Sequence, residues 1–331
     1  MKLVIGGAFQ GKLDFAKKMT GKETGWADGA AVSKEELSAC SGVYDFQELV
    51  RRWLLLEEET GTALEAELEE LLQKNPEICI VTNELGYGVV PIEPFDRKWR
   101  EKTGRICTEL AAKADSVTRV VCGIGILLKG EENMIKIAMI RHGKTYGNTL
   151  GRYIGVTDEP LCEEGKKELE QRTMDTVELL FVSPLKRCLE TADILYPYAK
   201  QVKIPEFAEC NFGEFENKNY QELKDNPKYQ EWIDSMATLA FPGGESPQQF
   251  KDRCIAGFDK MVDTCIRRHY RNVAMVVHGG TIMSILEQYG VPQKSYYDWR
   301  VENGCGYHLY LSEQNWKMGR REAVVESEIR R

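Results

Sequence analysis

Four histidines occur in this 331-residue chain, and two of them, His142 and His278, stand in the same local setting. Residues 135–140 form an apolar run that delivers Arg141, His142 and Gly143, and residues 273–277 form another that delivers His278, Gly279 and Gly280. Short apolar runs of this kind read as buried parallel strands, and α/β enzymes place their chemistry at the carboxyl edge of such strands. A third run, 177–182, ends in Ser183-Pro184-Leu185-Lys186-Arg187. Brought to one edge, Arg141, His142, Arg187 and His278 would surround a hole the size of an anion. Guanidinium suits that task because its planar fork binds phosphate oxygens bidentately and keeps its charge. A single strand-end histidine is more often structural, since ordinary ion-pair networks also bury histidines. The repeated setting, with two arginines, favours phosphate chemistry.

Several ordered motifs now agree: Arg141-His142-Gly143 with Thr145 and Asn148, Gly151-Arg152-Tyr153-Ile154-Gly155, Thr157-Asp158, Ser183 to Arg187, and His278-Gly279-Gly280. Together they resemble the histidine phosphatase superfamily, also called phosphoglycerate-mutase-like, over about 200 residues from Ile135 onward. The Gly-Arg-Tyr-x-Gly-x-Thr-Asp run is most similar to its α-ribazole phosphatase branch, which removes a 5′-phosphate during assembly of the cobalamin lower ligand. The resemblance implies that His142 attacks phosphorus to form a phosphohistidine. Arg141, Arg187 and His278, with Asn148 and a backbone N–H near Gly280, then hold the phosphoryl oxygens, and Thr145 and Arg152 join the substrate contacts. No metal or cofactor is implied for this half.

An alkoxide leaving group must be protonated as its P–O bond breaks. Glu209, Glu214 and Glu216 are all candidates on composition alone; in the family the glutamate three residues before a Phe-Gly pair is the proton donor, which corresponds to Glu209. Lys144 stands where the family often has an acidic residue. Helices expected over 220–236 and 246–270 flank Phe241-Pro242-Gly243-Gly244-Glu245-Ser246, a segment similar to the family's variable cap, where the leaving group is recognised. Tyr229 and Trp232 either stack on a benzimidazole there or are core.

Toward the N-terminus, a strand at 2–5 leads into Gly6-Gly7-Ala8-Phe9-Gln10-Gly11-Lys12-Leu13. The spacing fits the front of a P-loop, in which glycines let backbone N–H groups approach phosphates and the lysine reaches the outer ones. Leu13 replaces the hydroxyl residue that would ligate magnesium. A glycine-rich turn with no ligand is the alternative. Residues 45–74 read as helical, with Asp45 as a cap and the acids of 57–70 on a solvated face; a strand at 78–82 leads into Asn83-Glu84, a helix covers 95–114, and a strand covers 117–128. This half, about 130 residues, resembles adenosylcobinamide kinase/adenosylcobinamide-phosphate guanylyltransferase. GTP or ATP at Gly6, Gly11 and Lys12, with Glu84 as polar support, is what the resemblance implies. That family transfers GMP through a histidine, yet no histidine precedes His142 here. The expected domain is therefore a degenerate one that binds a nucleotide or corrinoid, or supports folding and assembly.

With 42% hydrophobic residues the chain suffices for two α/β domains. The expected fold is an N-terminal P-loop-like parallel sheet over 1–130 and a C-terminal histidine-phosphatase α/β/α sandwich over 134–331, joined by the charged linker 129–133. A net charge of −8 argues against nucleic acid or an anionic membrane as partner. Ten scattered cysteines without a Cys-x-x-Cys pair fit reduced thiols and a cytoplasmic location, and no apolar stretch approaches the roughly 20 residues of a membrane span. The expected partner is a small phosphate ester, α-ribazole 5′-phosphate or a corrinoid phosphate; a homo-oligomer is left open. The competing functions are a broad sugar-phosphate phosphatase or mutase-like enzyme, a bifunctional protein that keeps the kinase, and a non-catalytic nucleotide- or corrinoid-binding regulator.

Overall fold

Alternate residues of β7 (Met134–Arg141) belong to two different cores, and that alternation explains the C-terminal architecture. Ile135, Ile137 and Met139 pack in one apolar cluster with Met275 and Leu309, whereas Ala138 and Ile140 pack in another with Ala274 and Val276. A strand buried on both faces reads as a continuous apolar run, and helices cover both faces of its sheet. The computed structural model describes residues 1–236 and 238–330. The chain divides into two compact units, Met1–Glu132 with Lys317–Gly319, and Asn133–Trp316 with the segment from Arg320 onward.

In the first unit the strands are β1 (Lys2–Gly6), β2 (Trp26–Asp28), β3 (Gly42–Tyr44), β4 (Cys79–Asn83), β5 (Ser116–Val121) and β6 (Ile124–Lys129), in the order β2-β3-β4-β1-β5-β6. All neighbours pair in parallel except β5 and β6. The single strand expected over 117–128 is thus a hairpin. Cys122 and Gly123 both have positive φ, 50° and 79°, the backbone that a tight two-residue hairpin turn demands. Two short apolar segments, 120–122 and 124–128, abut at Gly123 and read as one strand when that glycine is not taken as a turn. Likewise the helical stretch 45–74 splits into Phe46–Thr60 and Leu64–Lys74 at Gly61, whose φ is 73°. Asp45 precedes the first helix without a side-chain capping bond.

The second unit has β7, β8 (Leu179–Val182), β9 (Gln201–Lys203), β10 (Asn272–Val277), β11 (Gly290–Val291), β12 (Gly306–Ser312) and β13 (Ala323–Ile329), ordered β11-β13-β12-β7-β10-β8-β9. The strands β7, β10, β8 and β9 run parallel, while β12 pairs antiparallel with β7 and with β13. Pro227 breaks the helix expected over 220–236 into Tyr220–Leu223 and Pro227–Asp234. Pro247–Arg268 is one long helix, opened by Ser246 in a reciprocal capping box with Gln249. Among the described residues no helix is long and apolar enough to cross a membrane.

Candidate active site

Sheet register assembles the site. Val277 pairs with Arg141, so His142 and His278 leave neighbouring strands side by side, and Val276 pairs with Val182, which brings Ser183 to the same edge. His142 is buried, and its Nδ1 lies 2.7 Å from Gly143 O. A carbonyl only accepts, so Nδ1 carries the proton and Nε2 the lone pair. Burial first, then the charges of Arg187 and Arg141, hold its pKa well below the usual histidine value. The result is a neutral imidazole with one nucleophilic nitrogen.

His278 is fully buried and held neutral by burial and by the same two arginines. Its Nε2 is 2.8 Å from Ser183 Oγ and its Nδ1 3.9 Å from Glu209 Oε2. It also stands at the N-cap position of the helix Gly279–Tyr289 without a side-chain capping bond, and the first backbone N–H groups of that helix have no partner within it. A Cβ on Gly279 would stand 3.4 Å from Arg141 Nε, and one on Gly280 would stand 3.0 Å from Glu209 Oε1. Arg141, Glu209 and that helix terminus therefore converge.

Backbone carbonyls hold both arginines in place. Arg141 Nη1 donates to Val301 O at 2.8 Å. Arg187, fully buried, donates through Nη1 to Thr157 O at 2.8 Å and through Nη2 to Gly155 O at 2.9 Å and Ile154 O at 3.3 Å. The Nε of each is buried with no hydrogen-bond partner among the described residues. Two buried, unpaired guanidinium N–H groups beside two neutral imidazoles suit an anion, because unpaired buried donors are costly.

Of the three candidate carboxylates, Glu209 is the one inside the cluster. Burial raises its pKa, against the Cys210 N–H and the charges of Arg187, Arg141 and Arg253. Arg253 secures its segment: Nη1 donates to Glu206 O and Ala208 O, both at 2.8 Å, while Nε and Nη2 fork onto Glu245 at 3.0 and 2.8 Å. Glu214 pairs with Lys228 on the surface, and Glu216 accepts backbone N–H groups from Gly155 and Thr157.

The remaining expected residues are placed as follows. Thr145 caps the short helix Tyr146–Thr149, its hydroxyl accepting from Asn148 N at 3.3 Å; Asn148 Oδ1 accepts from Thr145 N and from Asn303 Nδ2. Arg152 binds Asn217 and reaches Glu222 at 2.7 Å, so its guanidinium braces the 217–222 segment. Lys144 is paired with Glu164 and Glu168 at 2.6 and 2.7 Å. Tyr229 and Trp232 stack on each other at 6.0 Å within a cluster of Tyr153, Phe212, Phe215 and Phe241, with Tyr229 buried in the core and Trp232 partly buried against it. Four site neighbours were given no role of their own by the sequence. Ser183 contacts His278, and Thr191 accepts from Gly143 N at 2.9 Å. Asn303 Nδ2 donates to His142 O at 3.2 Å, and Arg253 braces Glu209. Ser183 lay in the strand-end motif and Asn303-Gly304 is a turn signal; Thr191 and Arg253, inside helices, gave none.

In the first unit Gly6, Gly11 and Lys12 form a loop between β1 and the helix Lys12–Thr20, with Gly11 left-handed at φ 75°. Lys12 is buried, and its Nζ donates to Gly7 O at 2.6 Å. Burial lowers its pKa, opposed by the charges of Asp45 and Glu84. Glu84 also accepts from Arg119 Nε at 3.0 Å. Among the described residues no group of three His, Cys, Asp or Glu side chains is placed to hold a metal.

The family model for the histidine phosphatase superfamily (branch 1) matches residues 137–323, more than half of the chain. The chain belongs to this superfamily. It is thereby a phosphatase. The adenosylcobalamin/alpha-ribazole phosphatase of Escherichia coli (strain K12) is 26% identical over 190 residues, covering 54% of this chain and 92% of that protein. A solved alpha-ribazole phosphatase from Shigella flexneri shares the fold, with a TM-score of 0.52 at 23% identity over 59% of this chain and 96% of that one. Residues 34–128 match the family of cobinamide kinase / cobinamide phosphate guanyltransferase. There, the bifunctional adenosylcobalamin biosynthesis protein CobU of Escherichia coli (strain K12) is 41% identical over 71 residues, which are 20% of this chain but only 39% of that protein. The first match agrees with the resemblance read from about Ile135 onward; the second begins at residue 34, so the glycine-rich loop lies outside it.

Proposed function

We propose that this phosphatase hydrolyses a phosphate monoester through a phosphohistidine on His142, with α-ribazole 5′-phosphate, or the corresponding adenosylcobalamin 5′-phosphate, as substrate. The observation that carries the chemistry is the 2.7 Å contact of His142 Nδ1 with Gly143 O: it commits Nδ1 to donating, so Nε2 offers a lone pair beside two arginines. Nε2 attacks phosphorus in line. The bond from phosphorus to the leaving oxygen breaks, and that oxygen takes the proton of Glu209, whose burial favours the protonated acid. Glu209 then accepts a proton from water as the water oxygen attacks phosphorus, the P–N bond breaks and phosphate leaves. Arg141, Arg187, His278 and the Gly280 N–H stabilise the equatorial oxygens; a single such donor is worth about 3–4 kcal/mol in comparable sites.

The choice of substrate rests on joint occurrence. One chain carries a phosphatase half similar to alpha-ribazole phosphatases and a half similar to a cobinamide kinase. The broad-phosphatase reading is favoured by one fact: Tyr229 is buried in the aromatic cluster, and Trp232 packs its ring on Tyr229 and Phe241. For the first unit, the backbone of 6–11 and Lys12 fit a nucleotide phosphate, which would bring anionic charge to the helix N-terminus. Leu13 supplies no hydroxyl for magnesium, so binding without phosphoryl transfer is the assigned role.

The test is steady-state hydrolysis of α-ribazole 5′-phosphate beside p-nitrophenyl phosphate and 3-phosphoglycerate, in chelator, for wild type and His142→Ala. Preference for the ribazole ester, lost in the variant, supports both parts. Equal slow turnover of all three moves the assignment to a broad phosphatase, and turnover surviving in His142→Ala overturns the mechanism.

A further inference from the structure

The turn 154–157 is gripped from both sides by opposite charges. Its N–H groups point one way: Gly155 N and Thr157 N both donate to Glu216 Oε1, at 2.8 and 2.9 Å. Its carbonyls point the other: those of Ile154, Gly155 and Thr157 receive Arg187. The Ile154–Gly155 peptide thus has its N–H on the carboxylate and its carbonyl on the guanidinium, an alignment in which each hydrogen bond polarises the other. Gly155 admits no side chain, because a Cβ there would overlap Cys210 O and stand 2.9 Å from Glu216 Oε2. The turn is packed closely against Cys210 O at this glycine.

We propose that Glu216 is a positioning residue for Arg187: by anchoring the turn through its N–H groups it fixes the three carbonyls that place the guanidinium on the phosphoryl group. This rests on the assignment of Arg187 to phosphate binding made above. Arg187 makes its bonds to the turn through Nη1 and Nη2, and its Nε remains buried without a partner among the described residues. A turn that drifts carries that Nε with it, and misplacement by about 1 Å costs on the order of 10²-fold in rate.

The experiment is a double-mutant cycle between Glu216→Ala and Arg187→Lys, read by kcat, KM and the inhibition constant of inorganic phosphate, with Glu216→Gln as the conservative variant. Glu216→Ala is expected to weaken phosphate inhibition about tenfold or more and to lower kcat about 10²-fold. Glu216→Gln keeps an Oε1 acceptor for both N–H groups and should recover most of each loss. In the Arg187→Lys background, Glu216→Ala should cost little more, since residues that act as one unit are non-additive. Additive effects, an unchanged phosphate constant in Glu216→Ala, or a Gln variant as poor as Ala would each overturn the proposal. Should Glu216→Ala fail to fold, Glu216→Asp takes its place in the cycle; its shorter carboxylate cannot reach both N–H groups, and the same criteria apply. If Arg187→Lys alone leaves turnover and phosphate inhibition intact, the assignment of the site falls instead.

Discussion

His142 and His278 meet edge to face, ring centroids 5.2 Å apart and planes inclined at 64°. The pairing of Val277 with Arg141 dictates that closeness, because the next residue on each parallel strand is the histidine. Both rings are neutral, and only His142 has a nitrogen freed by a carbonyl on its other side. His278 instead spans Ser183 and Glu209. The two rings are alike in setting and unlike in role.

That difference predicts different losses. His142→Ala should abolish turnover, a fall of about 10⁴-fold or more, since no other group supplies the nucleophile. His278→Ala should keep phosphohistidine formation but slow it about 10²–10³-fold, the size of a lost oxyanion donor. Rapid-quench trapping of phosphoenzyme decides this: label in the His278 variant and none in the His142 variant is the expected pattern.

The pH profile follows from two opposed shifts. His142 must be neutral, and its pKa lies well below 6.5; Glu209 must be protonated, and its pKa lies above 4.5. The profile of kcat/KM should therefore have its acid limb below pH 6.5 and its alkaline limb above pH 4.5. Glu209→Gln should lose the alkaline limb and about 10²–10⁴-fold in kcat for a poor leaving group. Retention of that limb would assign it to another acid.

Stability responds to the same burial. A histidine whose folded pKa is depressed leaves the unfolded chain binding more protons below 6.5, so its contribution is present above pH 6.5 and is lost as pH falls. Glu209, shifted up, contributes with the opposite sign. Calorimetric scans between pH 7 and 5 should show a smaller drop in Tm for His142→Asn/His278→Asn than for the wild type.

Much of this was legible because parallel strands are continuous apolar runs and their ends carry chemistry. Residues 135–140 and 273–277 announced both histidines, and the fold of each half followed. Breaks in the pattern were harder to see. The Cys122-Gly123 turn is marked only by glycine between two apolar segments, and β12 and β13 drew no separate signal. Glu209 needed a motif register, because Glu214 and Glu216 differ from it only in what the folded chain brings near them. Arg253 and Thr191 support the site from inside helices, where local pattern reports only the periodicity of burial.

The cap illustrates the same limit and yields a prediction. Tyr229 and Trp232 have helical spacing in both readings, but Tyr229 is buried and its hydroxyl lies 2.9 Å from that of Tyr153. Tyr229→Phe should cost about 0.5–1.5 kcal/mol in urea unfolding, the price of one buried hydrogen bond. KM for α-ribazole 5′-phosphate should move by no more than about twofold, because uniform binding to the substrate is unaffected. A large rise in KM with unchanged stability would return Tyr229 to the substrate.

Leu13 gives the sharpest test of the first unit. A P-loop hydroxyl joins the nucleotide to magnesium, while the lysine and backbone N–H groups hold phosphate oxygens directly. Lys12 lies on Gly7 O and leucine is next in sequence, so the proposed phosphate contacts would act without a hydroxyl for the metal. Titration calorimetry with GTP should therefore show binding that is indifferent to magnesium in the wild type and lost in Lys12→Ala. Leu13→Ser should restore magnesium dependence of about tenfold or more, by returning one oxygen ligand at the start of the helix. Magnesium-dependent binding in the wild type would mean that another residue supplies the metal ligand. Absence of binding in all three proteins would reduce the loop to a glycine-rich turn.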